Sequence, residues 1–202
     1  MLQPLSSRIS FQEFIEWKPE GKRYELHDGI IVEMAQPLGE HEEVTGFLTK
    51  KLGTELDRLS LRYLIPKTAL VKPLENESAY SPDILIVNKD NLQFEPFWKK
   101  ESTVTQDASI PLIVEVVSTN WRDDYYIKYA IYEQIGIPEY WIVDYLALGG
   151  RSFLGNPKIP TIFICSLIEG EYQMTKFRNN DRIHSPTFPE LNLTVQQIFN
   201  AD

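Results

Sequence analysis

Pro82-Asp83-Ile-Leu-Ile-Val87 and Pro111-Leu-Ile-Val-Glu115-Val-Val-Ser118, followed by Asp124-Tyr-Tyr-Ile-Lys128-Tyr-Ala-Ile-Tyr132, decide how this chain reads. Ile84 to Val87 and Leu112 to Val117 are short continuous apolar runs, the pattern of strands buried on two faces. Asp83 opens the first run and Glu115 lies inside the second. A carboxylate in such a strand is costly unless it is paired, hydrogen-bonded or bound to a cation. Between these strands and the next, Asp124, Lys128 and Tyr132 recur at i, i+4 and i+8, which places them on one helical face.

Outward from this centre, Ser10-Phe-Gln-Glu13 is a capping box that opens a short helix to about Trp17. Arg23 to Met34 alternates around Asp28-Gly29, a two-residue hairpin signal. Val44, Leu48, Leu52, Leu56 and Leu59 form one apolar stripe on a helix over about 41–59. Leu61 to Val71 reads as a strand, and 88–109 as an irregular excursion. The helix over about 122–135 ends at Gly136, with Pro138 just beyond. Glu139 to Asp144 is a further strand, and Thr161 to Ile168 with Glu171 to Phe177 a hairpin turning at Glu169-Gly170. The expected fold is α/β, with an αβββαβ core, a mixed sheet flanked by helices, and N- and C-terminal β-hairpins. The crossover helix makes the Glu115 and Tyr140 strands parallel and right-handed. We read 1–202 as one domain, with its core at about 40–145 and a C-terminal hairpin extension at about 160–202.

A hydrophobic fraction of 43%, with four Trp, ten Tyr and ten Phe, supports a packed core and argues against disorder. Cys165 is the only cysteine, so it makes no intrachain disulfide. No apolar stretch has membrane-spanning length, and the start from Met1 to Arg8 lacks a leader pattern, so a cytoplasmic protein with no membrane partner is expected. A net charge of −9 argues against broad, non-specific affinity for nucleic acid. It does not exclude a metal-dependent nuclease, whose ligands are themselves acidic.

Asp83, Glu115 and the main-chain carbonyl of Val116 would give a hard divalent cation oxygen ligands and leave positions open for substrate and water. Lys128 would reach the space beside Glu115 and stabilise charge developing on a phosphate. The structural alternatives are a strand-capping turn acid at Asp83, a Glu115–Lys128 pair, and a surface Asp124–Lys128 pair. His41 starts on the inward face of its helix and is an accessory candidate, as a hydrogen-bonding group or a base. Glu25 is a weaker ligand candidate. Tyr132 is read first as core with a satisfied hydroxyl. There is no P-loop, no zinc spacing and no dinucleotide fingerprint.

Pro82-Asp83, Glu115-Val-Val-Ser118, Asp124-x-x-x-Lys128-x-x-x-Tyr132 and Gly136-Ile-Pro-Glu-Tyr-Trp-Ile-Val-Asp144 together resemble the putative restriction endonuclease family of bacterial hypothetical proteins, within the PD-(D/E)xK nuclease superfamily. Tyr24-Glu-Leu-His-Asp-Gly29 and His41 are similar to its N-terminal signature. The resemblance spans about 20–145 and, more loosely, 188–199. It implies a restriction-endonuclease-like fold, Mg2+ or Mn2+ on Asp83 and Glu115, and hydrolysis of DNA phosphodiesters. The superfamily's usual lysine would fall at Val117, which is apolar. In this family it is displaced to the helix, here Lys128. The alternatives are a catalytically inactive nuclease-fold protein that binds DNA or a protein partner, and an internal ion network in a partner-binding domain. Because a double-strand cut needs two scissions, a homodimer is expected.

Overall fold

The computed structural model describes residues 8–19 and 21–202; the segment at 1–7, where no leader pattern is read, lies outside them. Helix α1 (Phe11–Trp17) begins at the expected capping box, in which the Ser10 hydroxyl accepts the Glu13 N–H and the Glu13 carboxylate accepts the Ser10 N–H. Strands β1 (Tyr24–His27) and β2 (Ile30–Glu33) pair antiparallel. Their two turn residues, Asp28 and Gly29, have φ of 50° and 80°, the left-handed pair that matches the twist of a tight hairpin. Helix α2 (Gly39–Arg58) buries Val44, Leu48, Leu52 and Leu56 along the stripe read from their spacing.

The run from Leu61 to Val71 is not one strand. It divides into β3 (Tyr63–Leu64) and β4 (Leu70–Val71), which belong to different sheets. Pro66 lies between them and offers no N–H to a ladder. Strand β5 (Ile84–Asn88) follows. The polar excursion then carries α3 (Trp98–Glu101) and β6 (Thr103–Val104), and β6 pairs parallel with β4. Strand β7 (Leu112–Val116) is wholly buried.

The expected crossover helix departs from regular geometry. Asp123–Lys128 is π-helical, and only Tyr129–Ile135 is α-helical (α4), ending at Gly136 with φ of 90°. Strand β8 (Glu139–Asp144), α5 (Arg151–Leu154), β9 (Thr161–Ile168), β10 (Glu171–Phe177) and α6 (Val195–Asn200) complete the chain.

The main sheet has the order β10-β9-β8-β7-β5-β3. As expected, β7 and β8 are parallel, and the neighbouring pairs are antiparallel. The C-terminal hairpin is continuous with this sheet, because β9 pairs with β8 along its length. Side chains alternate across it. Ile84, Ile86, Val114, Val116, Trp141 and Val143 pack under the α2 stripe, while Leu85, Val87, Ile113, Val117, Tyr140 and Ile142 pack under the π-helical segment and α4. No helix among the described residues is long and apolar enough to cross a membrane.

Candidate functional site

Because β5 runs antiparallel to β7, the start of one and the end of the other meet at the same end of the sheet. Ile84 pairs with Val114, so Asp83, one residue earlier, falls opposite Glu115, one residue later. Val114 and Val116 face α2, and alternation therefore turns Glu115 toward the π-helical segment. There its Oε1 lies 3.1 Å from Lys128 Nζ and accepts the Tyr132 hydroxyl at 2.9 Å. Lys128 Nζ also lies 3.3 Å from Glu25 Oε1 and 3.6 Å from Asp124 Oδ1. Glu25 is 1% exposed, Glu115 2%, Lys128 3% and Asp124 7%. One buried ammonium thus faces three buried carboxylates from three separate elements.

The surface reading of the Asp124–Lys128 pair is overturned by this burial. Tyr132 is fully buried and its hydroxyl is satisfied by Glu115, so a core role and contact with the site coincide. Glu25, read as a weak candidate, lies at the centre. Its Oε1 accepts the Ser81 N–H at 2.9 Å, and His27 Nε2 is 2.8 Å from Oε2. This ties the N-terminal hairpin to the strand end.

On the opposite side, Asp83 Oδ2 accepts the Val116 N–H at 2.9 Å. His41, in the first turn of α2, reaches the same point. Its Nε2 is 2.9 Å from the Val116 carbonyl and 3.3 Å from Asp83 Oδ2. A carbonyl only accepts, so Nε2 carries the proton. Val117 is 1% exposed and packs among Val87, Val104 and Tyr125, so its position offers none of the chemistry that a lysine there would supply.

The charges perturb one another. Burial is the largest influence on Glu115, and with the neighbouring Asp83, Asp124 and Glu25 it pushes the carboxyl well up, against the pull of Lys128. Burial likewise raises Asp124 to about 7. Burial opposes ionisation of Glu25, but Lys128, His27 and the Ser81 N–H outweigh it and hold the group at about 2. At Asp83 burial is outweighed by His41, Lys128 and the Val116 N–H, and the carboxyl is lowered. Desolvation works against Lys128, yet its carboxylate neighbours raise it well above the ordinary lysine range. Four carboxylates share this neighbourhood with one buried lysine.

A cleft of about 360 Å³ opens onto these groups, lined by His41, Asp83, Glu115, Asp124 and Lys128 among others. One wall is the segment after β2, with Met34 and Leu38; the other is the loop after β8, with Tyr145, Leu146 and Leu148. Asp144 shapes that loop. Its Oδ1 accepts the Leu148 N–H, and its Oδ2 accepts the Gly149 N–H and the Tyr125 hydroxyl. A side chain at Gly149 would begin 2.9 Å from both Asp144 Oδ2 and the Tyr125 ring.

Arg23 was missed in the sequence. Its Nη2 lies 3.7 Å from Asp83 Oδ1 and donates to the Ser81 carbonyl at 3.3 Å. The signal was present, since Arg23 is two residues before Glu25 in an alternating stretch and so shares its face.

The family model for Uma2, described as putative restriction endonuclease, matches residues 11–196. Among solved structures, the chain is similar to a putative nuclease from Anabaena variabilis, with a TM-score of 0.72 and 14% identity, covering 96% of this chain and 98% of the other. At that identity the likeness concerns the fold. No curated protein matches the sequence.

Proposed function

The chain belongs to the putative restriction endonuclease family, and on that premise we propose that it is a Mg2+- or Mn2+-dependent endonuclease hydrolysing DNA phosphodiester bonds. The observation that carries this reading is the excess of carboxylates about Lys128: Asp83, Glu115 and Asp124 line the cleft with it, and Glu25, outside the lining, lies 3.3 Å from its ammonium. Among the described residues no three His, Cys, Asp or Glu side chains form a metal-holding cluster. The donor set of this reading is two carboxylates, Asp83 and Glu115, with the Val116 carbonyl. Among the described residues Asp83 Oδ1 and Glu115 Oε2 accept no hydrogen bond, and the Val116 carbonyl, engaged once by His41, keeps a second lone pair. Hard oxygens in this number suit Mg2+, which retains several waters. When bound, such a cation polarises a phosphoryl oxygen and acidifies a water.

The remaining roles belong to the chain. His41 and the Val116 N–H fix the Asp83 carboxylate. Tyr132 and Lys128 orient Glu115 through one oxygen and leave the other toward the cleft. Lys128 lines the cleft and supplies positive charge against a developing phosphorane. The test is cleavage of a mixed DNA pool by purified protein with Mg2+ or Mn2+, beside Asp83→Asn. Equal cutting by the variant, or none by either, would refute the reading.

One observation favours a second reading, a catalytically inactive nuclease-fold protein that binds DNA or a protein partner. Val117 is buried and apolar, and Lys128 is held by three carboxylates. Nucleic-acid binding without metal-dependent cleavage would select it.

A further inference from the structure

A second groove, of about 460 Å³, runs beside the cleft between the segment after α1 and the end of α3. Among the described residues, Lys18, Lys22, Arg23 and Lys100 line it, against a single carboxylate, Glu101. On a chain of net charge −9 this is a local reversal of sign. Lys22 is partnered by Glu33 at 2.5 Å. Among the described residues, Lys18 and Lys100 make no ion pair. Lys18 is half-buried, and desolvation with the nearby Arg23 lowers its pKa. An anion in the groove would relieve both costs.

The groove is continuous with the site. Arg23 and Ser81 line both spaces, and Arg23 stands 3.7 Å from Asp83. We propose that this basic groove holds the phosphodiester backbone of the DNA strand where it leaves the cleft, with Lys18 and Lys100 engaging phosphates and Arg23 marking the junction. The proposal rests on the nuclease reading for its ligand, but its readout is binding alone. Lysines that engage phosphates carry register and affinity rather than sequence information. A local basic groove of this kind fits a chain whose net charge is −9.

The experiment is fluorescence anisotropy of a labelled mixed-sequence DNA duplex with the full chain in EDTA, titrated at several salt concentrations. The double variant Lys18→Gln/Lys100→Gln is compared with Lys50→Gln/Lys89→Gln, whose exposed lysines lie outside the groove. The groove variant should bind more weakly, and its log K against log salt slope should be shallower by about 0.9 for each phosphate that is no longer neutralised. The control should keep the wild-type slope, and both variants should melt as wild type. Equal slopes in wild type and groove variant, equal losses in both variants, or no DNA binding by wild type would each overturn the proposal. A groove variant that keeps DNA binding but loses binding to polyglutamate would overturn it in favour of an acidic protein partner. Groove-dependent binding by a chain that cuts no DNA would support this proposal while refuting the hydrolytic reading.

Discussion

Replacing Lys128 with Met keeps most of the stem and removes the one buried ammonium among three carboxylates. Its Nζ lies 3.1, 3.3 and 3.6 Å from Glu115, Glu25 and Asp124. At an effective dielectric of about 20, unit charges at such separations attract by about 5 kcal/mol each. Two effects reduce that sum. Burying the ammonium costs several kcal/mol, and Glu115 and Asp124, already raised, take up protons once the cation is gone. The expected net loss is that of a broken buried pair, about 3–5 kcal/mol. With a slope of about 2 kcal/mol/M, the urea midpoint falls by about 1.5–2.5 M. The pH dependence has a definite sign. An acid whose native pKa is raised above its unfolded value penalises folding above that unfolded value, and the penalty fades as pH falls toward about 4. The deficit of Lys128→Met should therefore be largest near pH 8 and shrink steadily toward pH 4. Urea titrations of both proteins across that range measure it. An unchanged midpoint at pH 8, or a deficit that grows in acid, would refute the account of Lys128 as the charge that holds the cluster together. In the cleavage assay the same variant should lose on the order of a hundredfold or more in rate.

Asp83→Asn or Glu115→Gln should remove Mn2+ binding by calorimetry while the chain stays folded, since each substitution removes a carboxylate from a crowded set; unchanged affinity in both would sink the donor assignment. Gly149→Ala should destabilise by about 1–3 kcal/mol, because the new Cβ meets Asp144 Oδ2 and Tyr125 at 2.9 Å; a melting temperature equal to wild type would show that the loop adjusts freely. Sedimentation equilibrium at micromolar concentration should give a homodimer, and a monomer mass alone would point to nicking or single-strand cleavage.

What could be read in the sequence was local or periodic. Ser10 and Glu13 sit one turn apart, Asp28-Gly29 supplies two left-handed residues in succession, and Gly136 closes its helix without a Cβ. Asp83, Glu115 and Lys128 stood out because strand and helix periodicity gave each a direction. Glu25 was undervalued because nothing near it in the chain reports that the hairpin folds over the strand end; its partner Lys128 is 103 residues away in the numbering. The division of Leu61–Val71 was hidden for the same reason, since β3 and β4 are assigned by partners elsewhere in the chain. Pro66 was the local clue. The π-helical turn had no signature, as its widened hydrogen-bond ring asks for no particular residue type.

That turn makes the reach of Lys128 a matter of counting. A π-turn is in effect an α-helix with one residue too many, and each residue of an α-helix advances its neighbours by about 100°. The widened turn absorbs that rotation, so deleting a single exposed residue, Ile127, would leave regular α-helix with its flanks near their present places. The same extra residue accommodated as regular α-helix would instead turn Lys128 and Tyr132 away from Glu115, which they now meet at 3.1 and 2.9 Å, by about 100°.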